Sequence, residues 1–215
     1  APCTYPTSTA SFLLTVTEPS VAPSSLTVSL DSICNGFATP VTLTAVGGTL
    51  GTDAVYEFSD AADFSNIIYS GTNDNTSVSP TVTTTYYVRI NGPAPCTHPT
   101  GSQSVLLTVT EGSTAPSLIT SSADTICNGD LTNVTLTADG TLGTDAWYQW
   151  SDNGFVDTIA GENTNTIIVS PTATTTYSVR INGPAPCTYP TSTASFLLTV
   201  TEPSVAPTSV TASAD

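Results

Sequence analysis

Short runs in which Val, Leu, Ile, Tyr or Phe alternate with Thr or Ser recur along the chain, separated by clusters of Gly, Pro and Asn. Val41–Val46 reads VTLTAV and Val134–Ala138 reads VTLTA. A period of two puts every second side chain on one face, so each run predicts a strand with one side in a core. In the first half the expected strands are Leu26–Asp31, Val41–Val46, Val55–Ser59, Ile67–Ser70, Thr76–Ser79, Thr85–Ile90 and Val105–Thr110. The second half repeats them at Val134–Ala138, Trp147–Ser151, Thr166–Ser170, Thr176–Ile181 and Phe196–Thr201. No stretch carries the apolar period of a helix. Short strands with turn signals about every 8–12 residues predict an antiparallel β-sandwich.

The pattern is duplicated at the level of sequence. Ala1–Pro23 reads APCTYPTSTASFLLTVTEPSVAP, and Ala185–Pro207 is the same string. A looser copy starts at Ala94 as APCTHPTGSQSVLLTVTEGSTAP. Cys3, Cys96 and Cys187 sit in APC, whereas Cys34 and Cys127 sit in ICNG, so the unit is a little over 90 residues. The first copy matches the third better than the second, which makes the larger repeat a pair of unlike domains. The expected division is a last strand of a preceding or neighbouring domain over 1–17, domains over 23–111 and 115–202, and the start of another over 208–215. The chain reads as a stretch of a long tandem array, joined by short Pro-marked linkers, TEPSVAP and TEGSTAP. Phe12, Leu13, Leu14 and Val16 give the first segment an apolar face, and a lone strand is not stable in water. Its cover is either a domain of the same array or a neighbouring copy that accepts the strand into its sheet.

Composition narrows the function. The chain has Lys+Arg 2, Asp+Glu 17 and His 1, for a net charge of −15. Its only basic residues, Arg89 and Arg180, cannot neutralise a run of phosphates, which excludes nucleic acid and anionic membranes as partners. With one His and no Lys there is little to move protons near neutral pH, so an enzyme is not expected. No apolar run approaches the roughly 20 residues that span a bilayer, and a signal peptide is not expected without Met or a leading basic segment. The apolar share of 39% argues against disorder. Without Lys, a Lys–Asn isopeptide bond is excluded, and disulfides are the covalent option left.

ICNG before a VTLTA strand, then PTVTTTYYVRING, APC and VLLTVT, resembles the immunoglobulin-like repeats of very large Bacteroidota surface adhesins and secreted fibre proteins. The resemblance spans nearly the whole chain. It implies an all-β fold of tandem immunoglobulin-like β-sandwich domains in a linear array, and an extracellular address at the bacterial cell surface, by a route such as type IX secretion. It also implies O-glycosylation in Asp-Ser/Thr-aliphatic triplets, here at Ser32, Thr125 and Thr158. Asn75 and Asn133 fit the N-linked pattern.

The cysteines are the strongest chemical signal, because five in a secreted-looking chain predict disulfides. One pairing is within domains, Cys34–Cys96 with Cys127–Cys187. In an immunoglobulin-like sandwich, however, Cys34 enters the second strand and Cys96 lies in the last hairpin. Those loops are at opposite ends, roughly 20 Å apart for seven-residue strands at ~3.3 Å per residue. A disulfide needs Cα atoms within about 7 Å. The inter-domain pairing Cys34–Cys187 is therefore favoured, with Cys3, Cys96 and Cys127 left to partners elsewhere. The cysteines lack the close pairs of a zinc site.

The remaining candidates are weaker. Asp53 and Asp145, Asp60 and Asp152, and Asp31 and Asp124 recur in pairs, yet lack the spacing of a dedicated calcium loop. They read as turn and surface residues, so no cofactor is expected and calcium is the minor alternative. Arg89 and Arg180 hold one position in both repeats and are expected in structural ion pairs. His98 stands where Tyr5 and Tyr189 stand in the sister copies, which argues against a catalytic or metal role. Tyr5, Tyr148 and Tyr189 are read as packing residues before sugar-stacking ones. The function expected is a structural repeat segment of an extracellular filament or adhesin stalk, with copies of itself or adjacent repeats as partners. The alternative is a module that binds a glycan or surface protein.

Overall fold

The computed structural model describes residues 2, 9–36, 38, 40–129 and 133–211. The chain forms two compact units, one of Ala1–Asp31 with Phe37–Thr108, the other of Ser32–Gly36 with Val109–Asp215. The units do not follow the sequence repeats strictly. The ICNG segment of the first repeat, with Cys34, belongs to the second unit.

The first repeat supplies β1 (Ser25–Val28), β2 (Ser32–Cys34), β3 (Val41–Val46), β4 (Val55–Ser59), β5 (Ile67–Gly71), β6 (Asn75–Val78), β7 (Thr84–Asn91) and β8 (Gln103–Thr110). One sheet runs β1–β3–β6 and the other β2–β8–β7–β4–β5. The two residues that close β2 onto the end of β8, Asn35 and Thr110 (Asn35 N–H to the Thr110 carbonyl, 2.7 Å), both belong to the second unit. In the first unit the alternation does what its period requires. Val41, Leu43 and Ala45 of β3 are buried and Thr42 and Thr44 half-buried, and the other sheet contributes buried Phe58 from β4 and Val88 and Ile90 from β7. Burying each such large apolar side chain is worth about 1.5–3 kcal/mol.

The second repeat supplies β9 (Ile119–Ser121), β10 (Thr125–Cys127), β11 (Val134–Ala138), β12 (Trp147–Ser151), β13 (Thr166–Val169), β14 (Thr175–Asn182) and β15 (Ala194–Thr201). Its sheets run β13–β11–β9 and β10–β15–β14–β12. Both feed one core. Ile119, Val134, Leu136 and Ile167 come from one sheet, and Ile126, Trp150, Val179, Ile181 and Leu198 from the other. Trp150 is fully buried and its indole N–H donates to the Thr164 carbonyl at 2.9 Å, so the polar atom of the largest core side chain is paired. Strand β10 lies parallel to β15 at the edge, with Cys127 opposite Thr201.

This order defines an immunoglobulin-like β-sandwich: three antiparallel strands facing a sheet that carries the last hairpin, with a short strand running parallel to the final one. The chain is thus all-β, with tandem immunoglobulin-like domains. The two repeats differ after the third long strand. The first has β5 paired to β4. At that place the second has single bonds, Ile159 N–H to the Trp150 carbonyl (2.9 Å) and Tyr148 N–H to the Asn163 carbonyl (3.2 Å). Among the described residues no helix is long and apolar enough to cross a membrane.

Residues 9–17, part of the strand expected over 1–17, form no strand pairing among the described residues and leave Phe12, Leu13, Leu14 and Val16 exposed. Residues 208–211 form no strand either, and 212–215 lie outside the described residues.

Candidate functional site

The covalent bond is Cys34–Cys187, with Cα atoms 4.8 Å apart and a sequence separation of 153 between the partners. Both lie in the second unit. The within-domain pairs Cys34–Cys96 and Cys127–Cys187 are not formed, since Cys34 and Cys187 hold each other and Cys96 and Cys127 are free thiols. Cys3 lies outside the described residues.

Thr110 organises the bond. Its carbonyl accepts from Asn35 N–H (2.7 Å) and its hydroxyl donates to the Ile33 carbonyl (3.3 Å), which fixes the strand that carries Cys34. The same hydroxyl lies 3.5 Å from Cys187 Sγ, and the Thr110 carbonyl oxygen lies 3.8 Å from that sulfur. Glu111 extends the clasp in both directions. Its carboxylate accepts from Asn35 Nδ2 at 3.1 Å through each oxygen, and its backbone exchanges two bonds of 2.9 Å with Thr144. Gly143 lets the chain approach this closely, because a Cβ there would fall on the Glu111 carbonyl oxygen. Ser113 Oγ accepts from Gly143 N–H at 2.9 Å and lies 2.8 Å from the Tyr189 hydroxyl.

Each unit also holds one half of such a clasp. In the first unit Thr17 Oγ1 lies 3.2 Å from Cys96 Sγ, and that thiol is 3.8 Å from the Thr17 carbonyl it points to. Glu18 donates to Thr52 Oγ1 (2.9 Å) and accepts from Thr52 N–H (3.1 Å), and Gly51 again makes room where a Cβ would strike the Glu18 carbonyl. In the second unit Thr201 accepts from Asn128 N–H (2.8 Å) and donates to the Ile126 carbonyl (3.3 Å). Asn128 Nδ2 reaches the Glu202 carboxylate at 3.1 and 3.2 Å. Cys127, at the end of that strand, is exposed.

The two arginines occupy matching positions with unlike partners. Arg89 Nε donates to Glu57 Oε2 at 2.7 Å in a largely buried ion pair, and Asn91 Nδ2 takes the other carboxylate oxygen at 3.0 Å. Arg180 Nε donates at the same 2.7 Å to Gln149 Oε1. The ion pair expected at Arg180 is therefore a hydrogen bond to a neutral amide, because the sequence places Gln149 where the first repeat has Glu57. Each guanidinium lies 4.0 Å above a phenylalanine ring, Arg89 over Phe64 and Arg180 over Phe155. Both phenylalanines have φ near +60°, where a side chain is disfavoured, so the cation–π contact and ring burial offset backbone strain. These rings have no periodicity to betray them. Their one signal is the shared Ser-Asp start of the turn after β4 and β12.

The recurring acidic residues fall in turns. Asp53 and Asp145 both adopt φ near +55°, which short polar side chains tolerate. Among the described residues no three His, Cys, Asp or Glu side chains converge as a metal site would require. Asp139 accepts from the Ser117 hydroxyl, from Ser117 N–H at 2.6 Å and from Leu118 N–H at 2.9 Å. The Ser117 hydroxyl first, then these amides, hold its carboxyl below the usual aspartate range. Tyr148 is buried, with its hydroxyl donating to the Gly140 carbonyl at 2.9 Å, so its ring is closed to a sugar. Burial, then the Asp139 charge, raise its pKa. Tyr5 lies outside the described residues. His98, in the place of Tyr189, is half-buried and its Nδ1 has no partner among the described residues. Of the candidate glycosylation residues, Ser32 is half-buried in β2, while Thr125 and Thr158 are exposed. A shallow groove of about 460 Å³ runs beside β14, lined by Asp152, Ile159, Val169 and Tyr177.

No family model matches the chain, and no curated protein matches it. Among solved structures, Rst D1-D2 is similar at 14% identity and TM-score 0.46, over 82% of this chain and 100% of that one. The full ectodomain of mouse nectin-like molecule 4 is similar at 15% identity and TM-score 0.39, over 87% and 68%. The N-terminal four Ig domains of Dscam1 isoform 6.9 are similar at 12% identity and TM-score 0.44, over 84% of this chain and 47% of that one. The chain thus spans less than half of that Dscam1 structure, and the sandwich assignment rests on strand order alone.

Proposed function

We propose that the chain is a structural, load-bearing segment of an extracellular filament or adhesin stalk, extended from a bacterial surface. The observation that carries this reading is the Cys34–Cys187 bond. It joins the second strand of one sequence repeat to the last hairpin of the next and closes a loop of 153 residues. Tension applied outside that loop passes through one covalent bond, so the sandwich strands inside it are shielded from force. A disulfide of this kind persists in an oxidising compartment, which supports the extracellular address. The −15 net charge disfavours indiscriminate self-association, as a long exposed fibre requires. The reading assigns the chain no reaction of its own, no cofactor, and neither nucleic acid nor membrane as partner.

Stretching single molecules by their two ends tests it. In the oxidised chain the residues between Cys34 and Cys187 should release no length. Reduction should free roughly 500 Å more, at about 3.3–3.6 Å per residue. If the oxidised and reduced chains extend alike, the load-bearing reading is wrong.

A further inference from the structure

The two half-clasps add up to the whole one. Thr110 holds the Asn35 amide, the Ile33 carbonyl and the Cys187 sulfur together. Among the described residues Thr17 makes only the last kind of contact, to Cys96, and Thr201 makes only the first two, to Asn128 and Ile126. Glu111 likewise joins Asn35 to Thr144, whereas among the described residues Glu18 reaches only Thr52 and Glu202 only Asn128. Thr17, Thr110 and Thr201 hold the same place in their repeats, so Thr17 of one molecule set in the place of Thr201 of another would combine these contacts and put Cys96 of the first opposite Cys127 of the second, as Cys187 meets Cys34. The residues leading to both threonines are identical, ASFLLTVT in Ala10–Thr17 and in Ala194–Thr201. The second segment is strand β15, seated between β10 and β14. The first joins no sheet among the described residues, with Phe12 89% and Leu14 75% exposed.

We propose that a second copy of this chain accepts Ala10–Thr17 as its last strand, in place of its own Ala194–Thr201, and that Cys96 of the donor then forms a disulfide with Cys127 of the acceptor. The inference rests on the structural reading above and names the partner and the bond. Carried over from β15, the register sets Leu14 beside Thr175, Phe12 beside Tyr177 and Thr17 beside Cys127 of the acceptor. Exchange replaces eight residues by the same eight, so the strand contacts are kept and the balance is tipped by what the joint adds. The addition is the disulfide, since an Asn128–Glu18 bond takes the place of the Asn128–Glu202 bond the acceptor already has. The joints differ in sequence at His98, which stands where Tyr189 meets Ser113, and at Pro19. Pro19 stands where Gly112 packs on the Cys34–Cys187 bond, and a Cβ there lies 3.3 Å from the Cys34 sulfur, so the new bridge must shift by a few tenths of an ångström. The chemistry is thiol–disulfide exchange with a small-molecule disulfide such as oxidised glutathione. The two protein thiols give up two protons and two electrons, one S–S bond forms between them, and the reagent leaves as two thiols.

The test uses the full chain with Cys3→Ser, incubated with oxidised glutathione and run on a denaturing, non-reducing gel. This chain should form a ladder of oligomers. Cys96→Ser and Cys127→Ser added singly should each stay monomeric, and an equimolar mixture of the two should give a dimer and nothing larger. Leu14→Asp in the Cys127→Ser chain, the strand donor, should lower dimer yield at least tenfold. In the Cys96→Ser chain the same change should leave yield unaltered. Leu14 is exposed in the monomer, so neither variant loses its own fold. A mixture without dimer, dimers of either single variant alone, or a Leu14→Asp effect that is absent or equal in both partners would each overturn the proposal. Extension of a monomer under force depends on Cys34–Cys187 alone, so the structural reading stands or falls separately.

Discussion

Ala10–Thr17 and Ala194–Thr201 are the same eight residues in two conditions. In β15 the segment lies between two strands and Leu198 is completely buried. In Ala10–Thr17 the matching Leu14 is 75% exposed and no ladder forms. Propensity is equal by construction, so it does not decide between them. The decision comes from whether β10 and β14 are present to take up backbone hydrogen bonds and close an apolar face. Strand identity in this chain is a property of the neighbours.

The sharpest way to break that comparison is to make one substitution at both places. Leu198→Ala should destabilise the second unit by about 2–5 kcal/mol, the usual cost of a cavity at a fully packed leucine. Leu14→Ala should change stability by less than about 0.5 kcal/mol, as for a surface position. Denaturant midpoints read both variants: tryptophan fluorescence follows the second unit, which holds Trp147, Trp150 and Leu198, and far-UV circular dichroism follows the whole chain, including the first unit to which Leu14 belongs.

A smaller effect is expected where the repeats differ by one atom type. Glu57→Ala leaves Arg89 partly buried without its acceptor and should cost the first unit about 1–3 kcal/mol. Glu57→Gln recreates the pairing found at Gln149 and should cost less than about 1 kcal/mol, which would show that the position requires an acceptor more than a charge. Thermal unfolding followed by circular dichroism gives both values. A glutamine variant as damaged as the alanine one would assign the stability to the ion pair itself.

The smallest effect concerns acid. Asp139 is held below the ordinary aspartate range by the Ser117 hydroxyl and the Ser117 and Leu118 amides, and the first repeat has Val46 at the end of the matching strand. A carboxyl depressed in the folded state stabilises fully above the unfolded value of about 3.9 and loses that contribution as pH falls through the lower folded value. Acid titration should show the second unit losing this increment below about pH 4. Asp139→Asn should flatten that slope and leave the first unit unchanged.

Much of the fold is legible in the alternation. Val41–Val46, Val55–Ser59, Val134–Ala138 and Trp147–Ser151 have the bounds that the apolar period sets. The misses have a common cause. β2 and β10 are three residues long, too short for a period to show, and they exist because the end of the last strand offers a parallel edge. Those short strands place Cys34 and Cys127, so the surroundings of the cysteines were hidden even though their spacing was plain. Phe64 and Phe155 were hidden for another reason, since a ring brought over an arginine by a left-handed turn leaves no pattern in the sequence. Arg180 departs from the expected ion pair because the arginine repeats while its partner changes from Glu57 to Gln149.

Residue-resolved amide hydrogen exchange on the monomer tests most directly the claim that this octapeptide is a strand only where neighbours make it one. The account expects Ala10–Thr17 to exchange at the rate of a free peptide while Ala194–Thr201 is protected to the depth of global unfolding of its unit. Equal protection of the two segments in the monomer would contradict it.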